Sequence, residues 1–397
     1  MAKEAPSSRR GRTPRPAAGG RKPRRAPSLP APGGDPLPAP LRAGMTPIHD
    51  ALLGWFKRVG RDLPWRRGVD PYRTWISEVM LQQTQVDRVV DFFHRFMERF
   101  PTVERLAAAP ESDVLRAWEG LGYYRRARQL HAAAKRIVAD HGGHLPDTAA
   151  GLRELPGIGR YTAGAIASIA FGCPEPIVEA NSRRVLARLV AHAAPLDGTA
   201  GDGPIWEIAT ALLPPRSAGQ WNQALMDLGA TVCTPRSPLC SRCPLAPHCL
   251  ALASRSTASI PVSTARREVV ERDETAIVVR RGAKVLVVRR DAGEWWEGLW
   301  DFPRLPAKEI LAPLGCGRRR VVGRCSYTVT HHRIEVSVAV CEASRQGARR
   351  DGVAWIDWEA LGTLAMTAPG RRIAALAERG EGESGRGGDR SSRRRRG

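Results

Sequence analysis

Leu155-Pro156-Gly157-Ile158-Gly159-Arg160 runs straight into a helical stretch that begins at Tyr161. Two glycines two positions apart let backbone N–H groups turn outward at a helix N-terminus, an arrangement that suits a phosphate. Apolar Leu155 and Ile158 anchor the turn between the helix before and the helix after. A bare Gly-x-Gly turn between two helices satisfies the same pattern, so the reading depends on what surrounds it.

Outward from this turn, helical spacing dominates in both directions. Thr46-Pro47 reads as an N-cap and first helical residue, and Ile48, Leu52, Trp55, Phe56 and Val59 follow at helical spacing. Asp70-Pro71 opens a helix through Trp75, Ile76, Val79 and Met80, and another carries Val86, Val89, Val90, Phe93 and Met97. The pattern predicts further helices over 102–109, 111–119, 123–140, 160–171, 181–192, 204–212 and 217–230. Nothing between 44 and 250 alternates as a strand, so residues 44–250 are expected to form an all-α domain. Residues 251–268 are rich in Ser, Thr and Ala and are expected to be a linker. Strand-like runs follow at Thr275–Val279, Val285–Arg289, Val321–Val329, Ile334–Val340 and Val353–Ile356, with one helix over about 369–378. Residues 269–377 are therefore expected to be a second, α+β domain.

The chain has 397 residues, 62 Lys+Arg against 40 Asp+Glu, and a net charge of +22, room for two or three domains. Residues 1–43 hold ten prolines and ten basic residues against two acids, with no aromatic residue. They bury too little apolar area to offset chain entropy and are expected to be a disordered basic arm. Residues 378–397 look like a second charged tail. These ends carry +8 and +3, so about half the charge stays on the folded body and points to a polyanion, most simply nucleic acid. No apolar run approaches the roughly 20 residues that span a bilayer, and no secretory signal is visible. A monomer is expected, without a membrane partner, in the cytoplasm or on the nucleoid (the nucleus in a eukaryote).

Four of the eight cysteines crowd into Cys233-x6-Cys240-x2-Cys243-x5-Cys249. Four thiolates in so short a run can close around one cofactor, and Pro235, Pro238, Pro244 and Pro247 hold the chain in tight turns. Zinc usually takes two short Cys pairs across a longer spacer, and this compact, asymmetric run suits a [4Fe–4S] cluster better.

Three further stretches carry candidate chemistry. In Ser77-Glu78-Val79-Met80-Leu81-Gln82-Gln83-Thr84-Gln85, Glu78 lies inside an apolar helix face with Gln82 one turn on. A half-buried carboxyl is pushed up in pKa and becomes a candidate general acid, although a helical glutamate is more often solvated surface. In Gly120-Leu121-Gly122-Tyr123-Tyr124-Arg125-Arg126, paired aromatics after a glycine turn suit insertion into a base stack, with cations to hold phosphates. Two adjacent tyrosines cannot both face inward on a helix. In Glu179-Ala180-Asn181-Ser182-Arg183-Arg184, a carboxylate and an amide precede a helix with two arginines.

Together these stretches resemble the adenine-specific DNA glycosylases of the MutY type, within the helix–hairpin–helix glycosylases. The resemblance rests on SEVMLQQTQV, GLGYYRRAR, LPGIGRYTAGAI, NQALMDLGA and the four-cysteine run, in family order. It implies an all-α helix–hairpin–helix glycosylase domain with an iron–sulfur cluster, plus an α+β Nudix-like C-terminal domain. The implied reaction is hydrolysis of the N-glycosidic bond of adenine mispaired with 8-oxoguanine or guanine in double-stranded DNA. The family's general acid falls on Glu78 and its [4Fe–4S] ligands on Cys233, Cys240, Cys243 and Cys249. Its DNA-gripping hairpin falls on Leu155–Arg160, with Gly157, Gly159 and the adjoining Tyr161 as DNA contacts. Its intercalating tyrosine falls on Tyr123, with Gln82 and Gln83 at the disrupted base pair. The family's Asp-Gly-Asn is here Glu179-Ala180-Asn181, which keeps a catalytic carboxylate on a side chain one methylene longer. Its Phe-Ser-His loop, which contacts the oxidised guanine, is here Val329-Thr330-His331. The stretch Arg267–Glu271 mimics a fragment of the metal-binding Nudix helix but lacks the upstream Gly and Glu, so the second domain is expected to recognise and not to hydrolyse.

Two rivals share the DNA grip. A glycosylase/lyase of the endonuclease III type needs a lysine soon after the hairpin. That position is Tyr161, and Lys57 and Lys135 are the only lysines between 44 and 250. A non-catalytic lesion-binding protein is favoured only by Glu179 in place of aspartate.

Overall fold

The computed structural model describes residues 35–196, 202–262, 268–347 and 350–386, with side chains described as far as 379. Two short helices begin the fold, α1 (Ala39–Ala43) and α2 (Met45–Val59), followed by α3 (Pro71–Leu81) and α4 (Val86–Arg99). Then come α5 (Val103–Ala108), α6 (Glu111–Ala117), α7 (Arg125–His141), α8 (Ala149–Arg153), α9 (Arg160–Ala170) and α10 (Ala180–Leu189). The helical half closes with α11 (Gly203–Ala211), α12 (Ala218–Thr231) and α13 (Leu250–Ala253). Its apolar faces build two cores. One gathers Trp75, Ile76, Phe93, Phe96, Trp118 and Ile166 from α3 to α9. The other gathers Leu41, Ile48, Leu52, Leu186, Trp221 and Leu228 from the chain start and α10 to α12.

The C-terminal half is a six-stranded mixed sheet of β1 (Val270–Arg281), β2 (Lys284–Arg289), β3 (Trp300–Asp301), β4 (Arg320–Val329), β5 (His332–Glu342) and β6 (Val353–Asp357). The order is β3-β2-β1-β5-β4, with β6 also on β2. β1 and β5 run parallel in a register that sets Ile277 beside Ala339, and the other pairs are antiparallel. Alternation sends Val278, Val336 and Val338 to one core, covered by α15 (Ala368–Arg386), and Ile277, Val279 and Leu286 to the other, covered by α14 (Lys308–Leu311). The two halves touch: Leu299 is fully buried in the first helical core, and Trp296 packs on it.

Several expected boundaries move. Order begins before residue 44, because Leu37 and Leu41 bury in the second core and Asp35 accepts from Leu37 N and Arg42. An average over 43 residues conceals the two leucines that find core partners. Residues 1–34 of the expected arm lie outside the described residues. The cap of α2 is Gly44, not Thr46, since α1 delivers the chain to the helix with one residue between. The expected linker is partly packed: Ala251 and Ile260 are buried, and the Ile260 carbonyl accepts from Arg188 Nε at 2.8 Å. Strand β1 starts at Val270, so Val270 and Glu271 of the Nudix-like fragment are strand. Helix α15 crosses the expected break at 378 and runs to Arg386; residues 387–397 of the tail lie outside the described residues. No described helix is long and apolar enough to cross a membrane.

Candidate active site

Asp70 starts α3 by accepting from Tyr72 N (2.8 Å) and Arg73 N (3.1 Å), with Pro71 where an N–H is not needed. Seven apolar or small neighbours from Tyr72 to Met80 are buried with it, so Glu78 enters the interior at 3% exposure. Opposite stands Tyr161 in the first turn of α9, whose hydroxyl donates to Glu78 Oε2 at 2.5 Å. Burial pushes the Glu78 carboxyl up to about 7, against the Tyr161 hydrogen bond and the Arg66 charge, and Glu179 adds to the rise. Burial also raises the Tyr161 phenol well above its ordinary value.

Glu78 opens on a cavity of about 870 Å³ between the two helical cores. Gln82, Gln83, Gly157, Gly159, Tyr161, Glu179 and Asn181 line it as well, so eight residues singled out from three separate stretches share one space. Gln82 ends α3 and donates to Thr162 Oγ1 at 3.2 Å, while Gln83 takes a left-handed φ of 57° that turns the chain toward α4. In the hairpin, Leu155 and Ile158 are buried as anchors. Gly157 has φ 78°, and a Cβ there would stand 2.6 Å from Gln129 Cβ; one at Gly159, the N-cap of α9, would meet nothing within 4 Å. The first glycine is demanded by the fold, and the second leaves a backbone surface open to a ligand.

Glu179 faces the same cavity but is bound differently. Its Oε1 accepts from Ser182 N (2.7 Å), and its Oε2 accepts from Asn181 N (2.8 Å) and Asn181 Nδ2 (3.2 Å). Ser182 Oγ accepts from Glu179 N in return, which completes a capping box on α10. The extra methylene is absorbed by curling the side chain back over the helix N-terminus. Asn181 is in the first turn of α10, not ahead of it, and its Oδ1 accepts from Arg184 at 3.0 Å.

Three arginines are buried inside the protein, and one of them, Arg126, is thereby removed from the phosphate reading. Arg126 is buried; it donates to Val79 O, Met80 O, Gln82 O and Gly122 O, so it clamps the end of α3 to the Tyr123 loop. Arg184 is buried too and reaches Cys233 O and Gly229 O at 2.7 and 2.6 Å. Arg188 donates to Thr234 O, Pro235 O and Cys233 Sγ. Burying a guanidinium requires several acceptors, and carbonyls at helix and loop ends supply them. Of the tyrosine pair, Tyr124 is core, whereas Tyr123 is 54% exposed with φ 50°.

Cys233, Cys240, Cys243 and Cys249 line one small cavity of their own, beside Arg188. Burial, with the neighbouring thiols adding to it, pushes the Cys243 thiol up to about 12. Four thiols lining one enclosed space fit an iron–sulfur cluster, with each thiolate on its own iron.

Thr330 and His331 stand apart from the cavity, at the tip where β4 turns into β5. Val329 pairs with His332, so the two form a two-residue hairpin loop, with Thr330 at φ 54°. Behind the tip, His332 packs on Trp295 and Tyr327 on Trp296.

The sequence reading passed over Arg61, Arg66 and Asp227. Burial opposes ionisation of Asp227, but Arg66 and Arg61 outweigh it and hold the carboxyl below its ordinary value. Arg66 also lines the cavity. The signals were Arg61–Arg67 and the aspartate of NQALMDLGA, which no local spacing connects.

Residues 76–197 match the HhH-GPD superfamily base excision DNA repair proteins, 233–249 the iron–sulfur binding domain of endonuclease III, and 275–376 the NUDIX domain. The adenine DNA glycosylase of Homo sapiens is 34% identical over 405 residues, spanning 83% of this chain and 74% of that protein. That of Mus musculus is 34% identical over 406 residues, spanning 85% and 79%. That of Mycolicibacterium smegmatis is 44% identical over 243 residues, spanning 61% and 80%. With its helical cavity, its cysteine loop and its C-terminal sheet in the same order, the chain belongs to the adenine DNA glycosylases, hydrolytic enzymes of base excision repair that carry an iron–sulfur cluster.

Proposed function

We propose that the substrate is double-stranded DNA with adenine opposite 8-oxoguanine or guanine, and that Glu78 and Glu179 carry the excision. The observation that supports this best is Glu78 itself: a buried carboxyl with a pKa of about 7 on the wall of a cavity with room for a purine. The adenine must leave the stack to enter. Tyr161 engages Oε2, and the other carboxyl oxygen carries the proton to a ring nitrogen, which turns the base into a better leaving group. Positive charge then develops on the sugar, and the Glu179 carboxylate stabilises it electrostatically. Asn181, held by Glu179 and Arg184, orients the attacking water.

In this reading Gly157 and Gly159 present N–H groups to a phosphate, Gln82, Gln83 and Tyr123 fill the disrupted pair, and Thr330 and His331 meet the opposite base. Residues 44–250 act as the glycosylase unit and 269–377 as the recognition unit. The four cysteines hold a [4Fe–4S] cluster, which cross-links the loop over 233–249. The protein works as a monomer, in the cytoplasm or on the nucleoid, or in a eukaryotic nucleus. The test is a duplex with one adenine:8-oxoguanine pair, incubated and then treated with alkali. Strand breakage only after alkali supports the reading; breakage without alkali indicates a lyase, and binding without breakage a lesion-binding protein.

A further inference from the structure

Glu119 and Arg371 lie 252 residues apart in the chain and meet across the two halves of the molecule. Arg371 Nε reaches Glu119 Oε1 at 2.7 Å and Nη2 reaches Oε2 at 3.0 Å, a two-point pairing of guanidinium and carboxylate. The same guanidinium donates to Leu361 O and Leu364 O, both at 2.7 Å, so it is held in one pose from its own domain. The side chains are 30% and 22% exposed, so the pair is less screened than an open surface contact.

What matters is where Glu119 sits. It follows Trp118, the C-cap of α6, and leads into Gly120 (φ 103°), Leu121, Gly122 (φ 77°) and Tyr123 (φ 50°). Three left-handed residues in four make a loop with no regular hydrogen-bond pattern, so its shape depends on outside anchors. Its own domain supplies Arg88 on Gly120 O, and Trp118 and Arg126 on Gly122 O. The second domain supplies Arg371. That residue lies in the first turn of α15, which packs along β4: Arg372 donates to Ser326 O, and Leu376 meets Gly323. β4 ends at Thr330.

We infer that Glu119–Arg371 is a positioning pair, which fixes the Tyr123 loop to the helix behind the Thr330–His331 hairpin. Contact of that hairpin with the base opposite the target is thereby coupled to insertion of Tyr123. This rests on the roles proposed above for Tyr123 and the hairpin. Neither Glu119 nor Arg371 touches DNA in this account; they act through the loop.

The experiment uses the full chain with Glu119→Gln, Arg371→Gln and both together. Single-turnover excision is measured on adenine opposite 8-oxoguanine and opposite guanine, and 2-aminopurine beside the mispair reports unstacking by fluorescence. Each single variant should lower the rate ratio of 8-oxoguanine over guanine by about tenfold, and the double variant no further. The guanine duplex should stay within about threefold of wild type, and the unstacking signal should fall. Equal slowing on both duplexes, additive losses in the double variant, or an unchanged ratio would overturn the inference. If wild type excises adenine from neither duplex, the proposed function fails instead. The fluorescence difference between wild type and Glu119→Gln then decides the pair: a difference upholds the coupling and none refutes it.

Discussion

Glu78 and Glu179 face one cavity from opposite kinds of helix end. Glu78 is in the last turn of α3, where carbonyls point and the helix dipole is negative, and one phenol is its hydrogen-bond donor. Glu179 is the N-cap of α10, where the dipole is positive and three N–H groups converge on its two oxygens. The first setting favours the neutral acid, whereas the second sets N–H donors against both oxygens. In the proposed reading the same side chain takes two roles according to its place on the backbone, a proton donor and an electrostatic stabiliser.

The largest expected effect comes from removing the proton. Glu78→Gln keeps size and polarity but has no acidic proton, so single-turnover excision should fall by about a thousandfold or more while duplex affinity stays within about threefold. A variant that excises within tenfold of wild type would break the comparison at its first member. The second member is worth less. Glu179→Gln removes the charge and sets an amide against N–H donors, so the rate should drop by about a hundredfold and denaturation should show a loss of about 1 kcal/mol from the cap. Glu179→Asp, a better N-cap with the charge kept, should stay within about threefold in rate. If Glu179→Gln excises normally, the carboxylate is a cap and nothing more.

The contrast also has a pH signature. Glu78 titrates near 7 in the fold and at about 4.5 without it, so the folded state holds the proton more tightly. Stability should therefore decline as pH rises from about 4.5 to about 7, by about 3 kcal/mol in all, and level off above; Glu78→Gln should lack this slope. In the proposed reading, excision needs the protonated form. Its single-turnover rate should be flat below pH 7 and fall about tenfold per unit above. Tyr161→Phe removes a donor that stabilises the carboxylate, so the alkaline limb should move up by about one unit. A limb that moves down, or not at all, would mean that the phenol does not set the acidity of Glu78.

Much of this arrangement is legible in the residues, and what is not has a common cause. Helices α3, α7, α9 and α12 follow from periodic apolar faces, and Asp70 and Gly157 announce their turns by residue type alone. Helix α8 escapes because five residues show barely one turn of pattern. Leu37 and Leu41 escape because most of the core they join begins only at Val178. Arg126 looks like a phosphate ligand in a basic chain, since nothing local says that carbonyls from distant segments will surround it, as they also surround Arg184 and Arg188. Glu179 was recognisable as a carboxylate at a helix start. That both of its oxygens would turn back onto the backbone depends on side-chain packing, which spacing does not encode. Local signals place elements; the direction of a charged side chain is settled by acceptors far away in sequence.

The smallest effect tests whether backbone position also assigns a role outside the cavity. Thr330 holds φ 54° in a two-residue hairpin loop, a conformation that glycine or asparagine takes more readily and a β-branched residue resists. The strain is tolerated at a tip whose hydroxyl lies 3.4 Å from Nδ1 of both His331 and His332. Thr330→Gly relieves the left-handed strain but loosens the unfolded chain, so stability should shift by less than about 1 kcal/mol. Excision opposite guanine should stay within about twofold, whereas preference for 8-oxoguanine should fall about threefold as the hydroxyl is lost. Thr330→Ser separates the two contributions, because it sheds the branch and keeps the hydroxyl. It should retain full preference and unfold at the same temperature or slightly higher. If Thr330→Ser loses the preference as fully as Thr330→Gly does, the hydroxyl is irrelevant and the branched methyl makes the contact, which would reverse the assignment of this position.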